Sequence, residues 1–170
     1  MDIFKGVYEL QKKINESGSA PSEGETPSTS YVLDKTHFKN SYDYIKRICN
    51  QINGSYEHGW NDACAVMIRK LVETLIIELY EANEINDKIK NIDGDYLFFN
   101  DLISKVTTES KWHLSRNTKR DLKKIKESGD KSAHNRKYIA IKTDIDDLKT
   151  PLRDIFQEFW EEIKKQRKKL

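Results

Sequence analysis

A histidine set among cations is the feature of this sequence that points to chemistry. Residues 125–138, IKESGDKSAHNRKY, bring His134 close to Lys126, Lys131, Arg136 and Lys137, with Asp130 between them. An imidazole titrates near neutrality and can give or take a proton. Cations beside it can hold a phosphate or stabilise charge building on one. A structural reading competes. The helix stops at Gly129, and His134 is a plug hydrogen-bonded to backbone. His37, His58 and His113 have no partner motif and read as surface or capping residues. Arg69 and Glu73 stand four apart on an apolar helix and read as a structural ion pair. No metal-ligand spacing, Gly-rich phosphate loop, nucleophile elbow or paired-carboxylate motif is present, so no metal and no cofactor are expected.

Charge is the second signal. The 30 basic and 28 acidic residues leave a net charge of only +2. That total hides a steep segregation. Residues 111–142 hold eleven basic and three acidic side chains, while residues 143–162 hold two basic and seven acidic ones. Within the basic block, Arg116, Lys119, Arg120, Lys123 and Lys126 form a broad positive helix face suited to phosphates. The plainer reading is a solvated helix lying against the acidic one that follows. The basic C-terminus, IKKQRKKL, reads as a last helical turn complementing its own dipole.

These residues need elements to position them. A chain of 170 residues suits one ordinary domain. Residues 1–16 read as a short amphipathic helix, with Ile3, Val7, Leu10 and Ile14 at helical spacing. Such a short helix is marginal alone and must dock, in cis or on another subunit. Residues 17–30, SGSAPSEGETPSTS, read as a disordered linker, since eleven of fourteen are Ser, Gly, Pro or Thr. The domain is then 31–170. Helices are expected at 36–52, 60–82, 98–109, 115–128 and 143–169, with a connection over 83–97. Ser115 and Thr143 are the expected caps, and Gly54 and Gly129 the expected stops. Pro151 either kinks the last helix or opens a new one. Residues 137–142 are a candidate short extended piece. Trp60, Trp112 and Trp160 read as core or interface anchors rather than base-stacking platforms. The fold class is all-α: an antiparallel bundle of four main helices plus short ones, preceded by a short helix on a flexible linker.

Other classes are excluded or narrowed. The longest apolar run, Ala63–Ile68, falls far short of the about 20 residues a bilayer span needs, so no membrane association is expected. No secretory signal is visible, and two cysteines, Cys49 and Cys64, fit a reducing, cytoplasmic setting.

The pairing of GWNDACAVMIRKLVETLIIEL (59–79) with IKESGDKSAHN (125–135) resembles the HEPN superfamily, the higher eukaryotes and prokaryotes nucleotide-binding domains. The branch it resembles is a bacterial domain of unknown function attached to restriction and defence proteins. Arg69 and Glu73 match that branch's Arg–x–x–x–Glu pair. Lys126, Gly129, Asp130 and His134 fall where it carries a basic residue, a Gly-Asn pair and a histidine. The likeness spans about residues 40–165. It implies a helical bundle that forms a twofold homodimer. In catalytic members, which resemble metal-independent ribonucleases, an Arg, a polar residue and a His meet their partner's copies in one cleft. Transferred here, His134 is the acid or base at a ribose 2′-hydroxyl, and Lys126, Lys131 or Arg136 steadies the phosphate. The chain departs from that pattern. No arginine stands four to six intervening positions before a histidine, and Lys126 lacks the bidentate guanidinium fork. The expectation is therefore a HEPN-like, non-catalytic module. It binds RNA, a nucleotide or a partner protein in a bacterial defence or toxin–antitoxin setting, with Lys131, Arg136 and Lys137 extending the phosphate-binding set. The alternatives are an active homodimeric ribonuclease and a plain protein-interaction bundle.

Overall fold

The most apolar stretch of the sequence becomes the axis of the fold. The computed structural model describes residues 31–167, so the expected helix at 2–15 and the linker at 17–30 lie outside the described residues. The elements are α1 (Lys35–Phe38), α2 (Asp43–Glu57), α3 (Asn61–Ala82), a 3₁₀ turn (Asn86–Ile89), α4 (Phe99–Thr108), α5 (Arg116–His134) and α6 (Lys142–Arg167). The described chain is an all-α bundle of four long helices with short additions. Among these residues no strand occurs; the only bridge is isolated, between Lys90 and Tyr96. No helix among them is long and apolar enough to cross a membrane.

α3 buries Cys64, Ala65, Ile68, Leu71, Val72, Leu75, Ile76, Glu78, Leu79 and Tyr80, a wide face that covers about half its circumference. It accordingly packs on α2, α4, α5 and α6. Side-chain bonds fix the directions. Tyr44 at the start of α2 donates to Glu78 near the end of α3. Tyr56 at the end of α2 donates to Asp146 at the start of α6, at 2.6 Å. Arg69 in early α3 meets Asp130 in late α5. α2 and α5 therefore run antiparallel to α3, whereas α6, which also packs on α3, runs parallel to it.

Several expectations are corrected. The helix expected over 36–52 is two helices. Ser41 Oγ donates to Phe38 O at 2.6 Å, offering the backbone a turn instead of a helix, and α2 starts after Tyr42. α2 then runs through Gly54 to Glu57, held by buried Ile52, Asn53 and Tyr56. The glycine that turns the chain is Gly59, at φ +71°. α5 runs through Gly129 to His134. α6 starts at Lys142 rather than behind a Thr143 cap. There Asp144 accepts from the Ile141 N–H at 2.9 Å. Residues 137–141 form a loop and turn rather than a strand.

Pro151 lies inside an unbroken α6. A proline there removes the bond to the carbonyl four residues back. That carbonyl, Asp147 O, instead accepts from Lys124 Nζ of α5 at 3.0 Å. The neighbouring helix repairs the defect that proline creates.

Candidate nucleic-acid interface

α5 begins with Ser115, whose Oγ accepts from the Thr118 N–H at 3.1 Å, as expected of a cap. The sequence did not announce the second partner at this end. Glu158 of α6 accepts from the Ser115 N–H at 2.7 Å and from the Thr118 hydroxyl. Only Thr118, Asp121, Leu122, Ile125 and Gly129 of α5 are buried. The rest of the helix is therefore surface. Helical geometry returns residues 116, 120, 123, 127 and 134 to one outward side, with 119, 126 and 130 beside them.

The cations on this side fall into two sets. Arg116, Lys119 and Lys123 form no ion pair among the described residues, while Arg120 pairs only with its neighbour Asp121, at 2.9 Å. All four lie in the first two turns, and the first turn holds no acidic residue. Positive charge there adds to the positive end of the helix dipole, an arrangement that opposes helix stability. Glu158 offsets part of it from below.

The second set is neutralised within the protein. Lys126 Nζ bonds Asp130 Oδ2 at 2.5 Å, and Arg69 Nε lies 3.0 Å from Asp130 Oδ1. The Arg69 contact is an ion pair without hydrogen-bond alignment. Arg69 also reaches Glu73 at 3.7 Å, as the expected structural pair, and its guanidinium sits 4.9 Å from the Phe99 ring centroid. Partial burial pushes the Asp130 carboxyl up, but the Lys126 hydrogen bond and the charges of Lys126, Arg69 and His134 outweigh it. Asp130 is held below the usual carboxylate range.

Gly129 is what lets these groups meet. A Cβ at this position would lie 2.7 Å from both Cβ and Cδ of Arg69. The glycine serves a close helix crossing instead of a helix stop.

His134 is the last residue of α5 and is exposed. It is neither a plug nor a loop residue. The structure brings Arg69, Glu73, Lys126 and Asp130 together, with His134 one turn beyond Asp130. It does not bring Lys131 to that side. Lys131 lines a cleft of about 150 Å³ with Glu127, Tyr138, Asp144 and Asp147, where acid predominates. Arg136 and Lys137 are exposed in the loop after α5. Asp130 engages Lys126 and Arg69, which are therefore not available to hold a phosphate beside the imidazole, and the arrangement fits anion binding along α5 better than in-line chemistry at His134.

Trp112 and Trp160 are buried anchors, at 7% and 6% exposure, but Trp60 is 62% exposed and lies outside the core. His37 and His58 cap backbone carbonyls, Asp34 O at 3.2 Å and Gly54 O at 2.8 Å. Cys49 and Cys64 are free and buried, and burial pushes the Cys64 thiol up to about 12. Such thiols are inert.

No family model, no curated protein and no solved structure matches this chain.

Proposed function

We propose that this chain is a HEPN-like, non-catalytic helical module that binds RNA along the outer side of α5. The observation that carries this reading is the group Arg116, Lys119, Arg120 and Lys123. These four cations crowd a helix start, where they oppose the dipole, and three of them have no acidic partner among the described residues. A phosphate backbone supplies the missing counter-charge. The resemblance at Arg69, Glu73, Gly129, Asp130 and His134 supplies the family, and with it a homodimer and a bacterial defence or toxin–antitoxin setting. Binding without cutting is favoured because Asp130 engages both Lys126, the cation at the motif position, and Arg69.

Fluorescence anisotropy with a single-stranded RNA of mixed sequence tests it. Affinity should fall steeply with salt. The triple variant Lys119→Glu, Arg120→Glu, Lys123→Glu should bind at least about tenfold more weakly and lower the log–log salt slope by about two. RNA should stay intact in chelator, with or without His134→Ala. Affinity indifferent to the three reversals would remove the α5 interface. Cleavage abolished by His134→Ala would turn the module into a nuclease.

A further inference from the structure

One end of the bundle, where α2 stops and α3 and α6 start, exposes three large apolar side chains together. Trp60 is 62% exposed, Ile139 77% and Ile141 59%. One hydrogen bond joins the two segments that carry them. The Ala140 N–H, between the two isoleucines, donates to Asp62 Oδ1 at 3.0 Å, two residues from Trp60. The Trp60 N–H donates to Ser55 O at 2.8 Å. Its ring stacks on His58, centroids 4.8 Å apart, and His58 Nδ1 is bonded to Gly54 O. Lys142, next to Ile141, lies over the Tyr56 ring. This is a held surface rather than a scatter of single apolar residues, and grouped exposure of this kind marks a contact site.

The course of the chain says what reaches it. At Tyr42 the chain is at the start of α2. At Val32 and Leu33 it lies against Asn53, whose Oδ1 accepts both N–H groups at 2.9 and 3.1 Å, and whose Nδ2 donates to Leu33 O at 2.8 Å. Asn53 is only 2% exposed and sits one turn before the end of α2. Followed backward, the chain therefore leaves the bundle heading for the Trp60 end. A flexible coil as long as residues 17–30 spans on the order of 20 Å. Beyond them stands a segment whose Ile3, Phe4, Val7, Leu10 and Ile14 recur at helical spacing.

We propose that residues 2–15 dock in cis on Trp60, Ile139 and Ile141. A helix that short needs tertiary packing to form, and these residues are an apolar surface at the end of the bundle toward which the chain leads from Leu33 and Val32. A tether of this length gives an effective concentration in the millimolar range, above that of a second copy at ordinary protein concentrations.

Crosslinking in the full chain tests it. Lys5→Cys is paired with Lys137→Cys, two residues from Ile139, and treated with a short bismaleimide. Buried Cys49 and Cys64 do not compete. The control pairs Lys5→Cys with Ile92→Cys, fully exposed beyond the far end of α3. That helix is about 33 Å long. The expected product has monomer mass and forms at least tenfold faster with Lys137→Cys than with Ile92→Cys. Adding Trp60→Ala, a surface change checked by circular dichroism, should slow it severalfold. Equal rates at the two positions, a dimer-mass product, or a rate indifferent to Trp60→Ala each overturns the proposal.

Discussion

Gly129 shows how one residue type can be read two ways. Its place in the sequence suggested a helix stop. Its actual role is to have no Cβ, because Arg69 Cβ would lie 2.7 Å away. Gly129→Ala therefore sets two effects against each other. Alanine gains about 1 kcal/mol of helix propensity. The new methyl meets an atom fixed to the α3 backbone, so the helices must separate, at about 1–3 kcal/mol of overpacking, and the Asp130–Arg69 pair opens with them. Urea denaturation should show a net loss; a more stable variant would mean that the crossing has slack. The Arg69–Glu73 pair was legible because i, i+4 neighbours on a helix meet without help from the rest of the chain. The Asp130 bridge was not, because it depends on where α5 crosses α3.

Helix boundaries divide the same way. α3 and α4 lie within a residue of expectation, since their apolar repeats start and stop sharply. α2 and α5 each outrun a glycine that has no positive φ, since buried Ile52, Asn53 and Tyr56 flank Gly54 and Gly129 is itself buried against Arg69. α6 keeps Pro151 because Lys124 satisfies Asp147 O. This makes a double-mutant cycle informative. Pro151→Ala restores a backbone bond and should stabilise by about 1–3 kcal/mol. Lys124→Met should cost about 1 kcal/mol beside proline and close to nothing beside alanine. Equal costs in both backgrounds, measured by thermal and urea unfolding, would show that the lysine only packs.

At the scale of the bundle, basic α5 packs against α6, whose stretch 143–162 is acidic. The bundle's acid limit follows from the carboxylates. Asp130 is held below its ordinary 3.8, as is Asp146 through hydrogen bonds from Lys149 and Tyr56. A depressed carboxylate stabilises fully above the unfolded pKa, and that stability is lost as pH falls through the folded one. Glu78 acts in reverse. Burial raises it past the opposing Tyr44 hydrogen bond, so the folded state takes up its proton first and is partly relieved in acid. The urea midpoint should therefore drop below about pH 4. Asp130→Asn should begin lower at pH 7, fall less, and approach the parent curve near pH 3. Parallel curves would show that Asp130 carries no linkage.

Periodicity and composition decided the all-α class, the axial helix, the Ser115 cap and the basic character of α5, because each depends on residues within a few turns of one another. Tertiary packing alone decided which cations remain available. Lys126 is taken up by the Asp130 carboxylate and Lys124 by the Asp147 backbone carbonyl, whereas Arg116, Lys119 and Lys123 face outward without an acid among the described residues. It also left Trp60 at the surface beside Ile139 and Ile141. A charge or an aromatic ring carries no mark of its neighbour until separate helices are brought within a few ångströms.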